Sequence, residues 1–296
     1  MKILLADSGS TKTEWCMIEQ DSEGRVAKRV TVHTQGINPV HQDERQVAEI
    51  IERELLPSLG RDAECPTDVF FYGAGCGEMG GELMTTVLRQ CLPGAKGRVE
   101  VASDLLAAAR ALCGRHEGVA AILGTGANSC YYNGCDIAMN VPPLGYILGD
   151  EGSGAVLGKL LVNALLKGDL PQEMLKEFYE ENKTDYLYII NKVYRQPLAN
   201  RFLASLAPFV AAHRHVDAVR KLVVDNFTDF IRKNVAKYDR PDLPVCAVGS
   251  IAYYFRDELA EALENEGLSI GTVVRAPMDG LVEYHAGKPN FVPAAL

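Results

Sequence analysis

Short apolar runs separated by turn residues fill the first 34 positions, and helical spacing takes over after them. Residues 2–6, 14–19 and 26–33 predict three strands, the last two joined by Gln20-Asp21-Ser22-Glu23-Gly24. Residues 34–40 form a loop punctuated by Gly36 and Pro39. From 45 to 59, apolar residues at 47, 50, 51, 55 and 59 sit among charges, the spacing of an amphipathic helix. Val69-Phe70-Phe71-Tyr72 predicts a buried strand that runs into Gly73-Ala74-Gly75-Cys76-Gly77. A helix over 78–91, a strand over 98–102 and an alanine-rich helix from Ser103-Asp104 to about 113 complete the series. The order β-β-β-α-β-α-β-α is that of a mixed sheet flanked by helices.

The pattern then restarts. Residues 119–123 predict a strand, Gly124-Thr125-Gly126-Ala127-Asn128-Ser129 a glycine-hydroxyl turn, and 130–132 a second strand. Asn133-Gly134 is a tight-hairpin signal leading to a third strand at 136–140. The segment from Gly145 to Gly154 precedes an apolar helix over 155–167 and a largely helical region over 171–238. Pro241 and Pro244 introduce a strand over 245–248, followed by Gly249-Ser250, a helix over 252–265, a strand over 269–275 and a last helix from Pro277. Two copies of one supersecondary unit are expected in an α/β chain. The N-terminal unit spans 1–115, and the C-terminal unit spans 116–296 with a helical insertion at about 168–240. The last helix is free to pack back on the N-terminal unit. No low-complexity linker separates the two, and such a duplication suits a nucleotide clamped between lobes.

Composition narrows the classes. A chain of 296 residues with 47% hydrophobic and 23% charged residues is an ordinary globular protein long enough for two domains. Its formal net charge of -9 argues against nucleic-acid and anionic-membrane partners. The eight cysteines are scattered without a C-x-x-C pair, the pattern of reduced thiols in a cytoplasm. Cys130 and Cys135, on either side of the Asn-Gly turn, read as two buried thiols rather than half of a metal site. The six histidines lack H-E-x-x-H or a comparable spacing, so no zinc is expected. His213 and His215 read as solvated helix surface. The run of four apolar residues before Asp7 is too short for a signal peptide, and no segment is long enough to span a bilayer. No helix-turn-helix precedes the first strand, which disfavours a fused transcriptional regulator. A cytosolic enzyme is the expectation.

The chemistry concentrates at strand ends, and each site there has a plain reading beside the functional one. Asp7-Ser8-Gly9-Ser10-Thr11-Lys12-Thr13 is either an ordinary hairpin turn or a phosphate loop. In the second reading Gly9 permits close backbone approach, and Ser10, Thr11 and Thr13 donate hydrogen bonds. Lys12 supplies positive charge and Asp7 a hard oxygen for a divalent cation. It is not a Walker loop, because the G-x-x-x-x-G-K-[ST] spacing is missing. Asp104 either caps a helix together with Ser103 or acts as general base in phosphoryl transfer. Gly124-Thr125-Gly126 is a turn or a second phosphate loop. Gly149-Asp150-Glu151-Gly152-Ser153 either caps the next helix or presents two exposed acidic side chains to sugar hydroxyls. Gly249-Ser250 is a strand-to-helix turn or a surface on which an adenine lies flat.

Five of these segments occur here in the order that N-acetylglucosamine kinases have. They are Asp7-Ser-Gly-Ser-Thr-Lys-Thr, Ala102-Ser-Asp104, Leu123-Gly-Thr-Gly-Ala-Asn-Ser129, Gly149-Asp-Glu-Gly-Ser153 and Val248-Gly-Ser-Ile251. The chain thus resembles the BadF/BadG/BcrA/BcrD-type ATPase family of the sugar kinase/actin superfamily, over nearly its whole length. The resemblance implies two ribonuclease-H-like lobes with ATP and an amino sugar in the cleft, and a lobe-closing motion. It implies that Gly9, Ser10, Thr11 and Lys12 form the first phosphate loop, that Gly124 and Thr125 belong to the second, and that Gly249 and Ser250 meet the adenosine. It further implies Asp7 on the Mg²⁺ side, Asp104 as the base that activates the sugar 6-hydroxyl, and Asn38, Gly126, Asn128, Gly145 and Asp150 around the hexosamine. At Leu144 the sequence departs from the animal enzymes, which carry a tryptophan there. Preference for the N-acetyl group is then open, with free glucosamine or a muramic-type sugar as alternatives. A homodimer is one assembly that the resemblance allows. The same family also contains ATPase activators of iron–sulfur dehydratases, for which only Cys76 or Cys130 is suitably placed. A non-catalytic sugar sensor and an actin-like filament protein are further alternatives.

Overall fold

The computed structural model describes residues 1–9, 11–60, 68–77 and 80–287. The chain divides into two compact units. The first holds Met1–His116, Gly134–Asp136 and the segment from Pro277, and the second holds Glu117–Asn133 and Ile137–Ala276.

In the first unit, β1 (Lys2–Ser8), β2 (Lys12–Gln20) and β3 (Val26–Gln35) form an antiparallel meander. Helix α1 (Glu44–Ile50) runs through a π-turn (Ile51–Leu55) into the short α2 (Leu56–Leu59). Pro57 explains the π-turn, since it has no N–H to return to Arg53, so the chain widens by one residue to pass it. The predicted helix over 45–59 is therefore continuous in direction but not in hydrogen bonding. Next come β4 (Asp68–Gly73), α3 (Gly81–Cys91), β5 (Val99–Ser103) and α4 (Asp104–Cys113). The strands β4 and β5 add in parallel beside β1, giving the order β3-β2-β1-β4-β5. The central strand β1 sends Leu4 and Ala6 to one face and Ile3 and Leu5 to the other, as a two-residue period requires. The first face packs on α1–α3 through Val47, Ile51, Met84 and Leu88. The second packs on α4 and on the last helix, Met278–His285, through Ala107, Ala111 and Leu281. Gly280 on that last helix admits the close approach, since a Cβ there would lie 2.3 Å from Ala111 O.

The second unit repeats this topology. Strands β6 (Glu117–Leu123), β7 (Ala127–Asn133) and β8 (Ile137–Met139) form the meander. Helices α5 (Gly145–Leu148), α6 (Gly154–Lys167), α7 (Gln172–Glu181), α8 (Tyr186–Tyr194), α9 (Ala199–Ala204), α10 (Ala207–His213) and α11 (Asp217–Lys233) follow. A 3-10 turn (Val235–Tyr238) leads to β9 (Val245–Val248), α12 (Ser250–Tyr254), α13 (Arg256–Asn265), β10 (Ile270–Val274) and the last helix, α14. The sheet order β8-β7-β6-β9-β10 is the first unit's order with each strand replaced by its counterpart. The core of this unit is one cluster in which β6 and β9 meet α6, α11 and α13 through Ala121, Leu157, Phe227 and Leu259.

Several local expectations change. The Asn133-Gly134 hairpin is wider than a two-residue turn, because Tyr132 pairs with Ile137 and Asn133 stays in β7, leaving Gly134 alone at φ 92°. The helix expected over 252–265 starts at Ser250 and breaks at Phe255, which leaves helical backbone at φ -112° and ψ 34° and is buried. His213 is not solvated. Its ring stacks on Phe209 at 4.1 Å, Nδ1 lies 2.9 Å from Phe209 O, and Nε2 lies 3.3 Å from Glu177. Cys130 is buried as expected, whereas Cys135 is exposed on the widened turn.

Gly249, between β9 and α12, has φ 124°, and a Cβ there would sit 2.3 Å from Leu123 O. Both the backbone and the packing exclude a side chain, so Gly249→Ala is expected to cost at least about 2 kcal/mol in urea unfolding. A variant within about 0.5 kcal/mol of the parent would show that β9 can withdraw from β6.

Candidate functional site

Parallel pairing fixes where the first unit's polar groups collect. Ser8 pairs with Gly73 and Gly73 with Ser103, so the C-terminal ends of β1, β4 and β5 lie level. Carboxyl ends of parallel strands are where open α/β sheets hold ligands. Asp7 sits there on β1, and Asp104 begins α4 directly after β5. The helix is capped by Ser103, whose hydroxyl accepts the Leu106 N–H at 3.2 Å, so Asp104 is not the N-cap. Its Oδ1 accepts the Leu105 N–H at 2.9 Å. Burial pushes the Asp104 carboxyl above its ordinary range, opposed by the Leu105 N–H and its own. Burial likewise pushes Asp7 up to about 7, with the Asp104 and Glu14 charges adding to it and Lys12 opposing. Two half-buried carboxyl groups that disfavour each other's charge call for a proton or a cation.

The β1–β2 turn beside them is open. Gly9, Thr11 and Lys12 are exposed, Gly9 N–H donates to Lys12 O at 3.0 Å, and Ser10 lies outside the described residues. A Cβ on Gly9 would meet nothing nearer than Lys12 O at 3.8 Å. Neither packing nor a left-handed backbone demands glycine at that position. Thr13 is not a ligand donor. It is buried, with its hydroxyl 2.6 Å from that of Ser8 and 3.1 Å from Gln35 O. Ser8 in turn donates to Ile37 O and accepts from Ile37 N–H, at 2.8 and 3.0 Å, which pins the segment carrying Asn38 to the end of β1. Asn38 Oδ1 accepts the Val40 N–H at 3.0 Å and overlies Gly75, where a Cβ would be 2.5 Å from it. Asn38, Asp7 and Asp104 thus belong to one end of one sheet. So does Cys76, whose thiol is pushed up to about 12 by burial and then by Asp104.

The second unit builds a counterpart after β6. Gly124 N–H donates to Gly126 O at 3.0 Å, Thr125 is exposed, and a Cβ on Gly124 would meet nothing within 4 Å. The start of α6 is tied to this turn by Gly154 N–H to Gly124 O and Ala155 N–H to Thr125 O, at 2.8 and 3.1 Å. Asp150 lies against it, its Oδ2 3.1 Å from the position of a Cβ on Gly126. Its carboxyl is raised by burial, against the opposing Ala127 N–H. Asp150 has φ 55°, a conformation costly for a residue with a side chain and typical of sites where position outweighs strain. Asn128, on β7, spends Oδ1 on the Ser129 N–H and on the Asn140 amide, both at 2.9 Å. Gly145 is exposed at the start of α5, and Gly249 and Ser250 form the β9–α12 turn, with Ser250 exposed.

Two acidic residues expected on a bare turn differ in fact, since Glu151 pairs with Lys233 at 3.0 Å while Asp150 faces Gly126. The residues missed are those that hold this turn. Asn226 of α11 is buried, accepts the Gly152 N–H at 2.9 Å and donates to Ser153 O at 3.3 Å. A polar residue inside the apolar stripe Val219-Val223-Phe227-Phe230 was the available signal. Asn140, which orients Asn128 and also donates to Ser129 O at 2.7 Å, had no such signal. Among the described residues, no group of three or more His, Cys, Asp or Glu side chains is arranged to hold a metal. Asp7, with the Asp104 charge beside it, offers hard oxygens of the kind that would suit a divalent cation completed by phosphate oxygens and water. Cys130, like Cys76, is buried with its thiol pushed up to about 12. No described helix is long and apolar enough to cross a membrane.

No protein-family model and no curated protein matches the chain. Solved structures do. A protein from Porphyromonas gingivalis, provisionally described as an N-acetylglucosamine kinase, is 47% identical, with a TM-score of 0.90 over 96% of this chain and 98% of that one. A second provisional N-acetylglucosamine kinase, from Chromobacterium violaceum, is 19% identical with a TM-score of 0.72 over 96% of this chain and 98% of its own. A hexokinase from Schistosoma mansoni complexed with glucose is 16% identical with a TM-score of 0.50, over 97% of this chain and 85% of that one, and so shares the fold. With the duplicated sheet, the ordered turn motifs and identity of this extent over nearly the full length, the chain belongs to the N-acetylglucosamine kinase-like family of the sugar kinase/actin superfamily.

Proposed function

We propose that this sugar kinase uses ATP to phosphorylate the 6-hydroxyl of N-acetylglucosamine or a related hexosamine. The observation that carries the reading is Asp104, released from capping by Ser103 and set at the level strand ends beside Asp7. A general base must keep an oxygen available and have a raised affinity for the proton it takes, and a partly buried carboxylate whose burial outweighs its N–H donors meets both needs. Asp104 takes the proton of the sugar hydroxyl as that oxygen attacks the γ-phosphorus, and the bond from that phosphorus to the β,γ-bridging oxygen breaks to release ADP.

The turns of Gly9 and Gly124, where neither backbone nor packing requires glycine, are assigned to phosphates. Gly9, Ser10, Thr11 and Lys12 serve them from the first unit, and Gly124 and Thr125 from the second. Backbone N–H groups and hydroxyls, with one ammonium, match the charge of a polyphosphate without having to reorganise. Gly249 and Ser250 receive the adenosine. Asn38, Gly126, Asn128, Gly145 and Asp150 are assigned to the sugar, Asp150 through its carboxylate and the two asparagines through their amides. Asp7 holds Mg²⁺, which when bound neutralises phosphate charge. Leu144 is 62% exposed at φ 64°, so any stacking platform at that place is aliphatic. The choice between N-acetylated, free and muramic-type sugars then rests on polar contacts. A cytoplasmic homodimer acting on a small molecule, with neither nucleic acid nor membrane as partner, completes the proposal.

Asp104→Asn is expected to lower turnover by at least about 100-fold while hexosamine affinity changes little. ADP release and sugar titration calorimetry measure the two, and unchanged turnover would overturn the assignment of the base. Asp7 predicts a pH signature. Its folded value near 7 exceeds that of the unfolded chain, so the unfolded state loses the proton first as pH rises. The stability that protonated Asp7 supplies is full near pH 4, falls as pH rises toward 7, and is gone above it. Asp7→Asn is therefore expected to gain on the parent between pH 5 and pH 8, by at least about 1 kcal/mol at the upper end, while losing Mg²⁺-dependent turnover. Denaturant unfolding at both pH values, without nucleotide, tests it, and a stability difference independent of pH would refute the coupling.

A further inference from the structure

Three guanidinium groups of the first unit converge on a small cavity that the proposed chemistry does not use. Arg98 precedes β5, Arg110 lies in the last turn of α4, and Arg115 follows that helix. With Glu100 and the rings of Phe70 and Tyr284 they line a space of about 200 Å³. The cavity is apart from the strand-end carboxylates. Arg110 lies six residues along α4 from Asp104, roughly 9 Å, and Glu100 is a similar distance back along β5 from Ser103.

Charge is out of balance here. Glu100 is the one carboxylate lining the cavity, and it is already engaged by two of the three arginines. Its Oε1 accepts from Arg110 NH1 at 2.5 Å, and its Oε2 lies 2.5 Å from Arg98 NH2 but off the hydrogen-bonding direction. Arg110 NH1 also donates to Tyr72 OH at 2.7 Å, and Tyr72 OH lies 2.8 Å from His285 Nε2. That still leaves Arg110 Nε buried without a hydrogen-bond partner among the described residues. Arg115 makes no ion pair among them and stacks over Tyr284 at 4.7 Å. His285 adds no positive charge, since burial and the Arg110, Arg98 and Arg115 charges push it down to about 3. Two positive charges in excess and exposed guanidinium groups at the rim of a small cavity describe an anion site.

We propose that the Arg98–Arg110–Arg115 cavity binds a phosphate group. Its volume is that of roughly six or seven waters, below the usual range of organic-ligand pockets, which suits a tetrahedral oxyanion and excludes a whole nucleotide. Arginine forks receive such an oxyanion through paired N–H groups, and Arg115 can swing in from its ring without leaving the cavity mouth. The phosphate is either inorganic or the head of a phosphorylated sugar whose ring stays outside.

Thermal unfolding of the full chain, with inorganic phosphate replacing chloride at constant ionic strength, reads this site. The unfolding temperature is expected to rise with the logarithm of phosphate concentration, because the folded state alone binds. Arg115→Ala, at an exposed side chain, and separately Arg98→Ala are each expected to raise the half-effective phosphate concentration at least about 10-fold. Arg53→Ala, an exposed guanidinium of the π-turn outside the cavity lining, is expected to keep the parent's response, and Lys12→Ala, in the turn assigned to ATP, reads phosphate taken up there instead. Glucosamine 6-phosphate in a parallel series identifies the source: a lower half-effective concentration than inorganic phosphate, lost in Arg115→Ala, assigns the site to a sugar phosphate, and equal values assign it to the free ion. The proposal is overturned if neither probe shifts the parent, if both arginine variants respond as the parent does, or if only Lys12→Ala loses the response.

Discussion

Parallel pairing of β1 with β4 and of β4 with β5 is the constraint on which the first unit's chemistry depends. It forces the ends of strands far apart in sequence to one level, and with them the carboxyl groups of Asp7 and Asp104. Those two groups then sit in each other's field under partial burial, and both resist ionisation. In the free protein this is a cost to stability. It is also what gives the site an affinity for protons and cations that neither residue would have on a loop in water.

The same architecture, used twice, separates glycines by purpose. Gly249 and Gly280 are required by the fold, because backbone oxygens occupy the place of their Cβ atoms. Gly9 and Gly124 hold equivalent places after β1 and β6, and among the described residues nothing comes nearer than 3.8 Å to the place of a Cβ there. Glycine that the fold does not need is best explained by something outside the fold coming close. The hydroxyls divide in a similar way: Ser8 and Thr13 satisfy each other and the backbone inside, while Thr11 and Thr125 face outward.

Buried and backbone-directed hydrogen bonds hold the segments that carry the site residues. Asn226 holds the turn that bears Asp150, Asn140 holds Asn128, and Ser8 holds the approach to Asn38. Each spends hydrogen bonds on backbone or amide groups that would otherwise be left unpaired or free to rotate. At the other end of α4 the balance is different. The Arg98, Arg110 and Arg115 cluster has more positive charge than Glu100 can neutralise, with Arg110 largely covered and Arg98 and Arg115 open to solvent.

The order of elements, the duplication and the ordered turn motifs were legible in the sequence because they rest on local periodicity and on residue types with few uses. Strand β9 was read to the residue, and the glycine turns after β1, β6 and β9 were located by their composition. Tertiary structure decided the rest. The sequence left Ser103 and Asp104 as rival caps, and only the Leu106 N–H direction settled which was free. His213 looked like surface because Arg214 and His215 follow it at the helix end, but a stack on Phe209 buries it. Glu151 and Asp150 are alike in sequence, yet Lys233, 82 residues away, takes one and leaves the other. Local pattern fixes which backbone shape a segment adopts, since that depends on neighbours in the chain. Which side chain is spent on structure and which is left for chemistry depends on partners brought together only by folding.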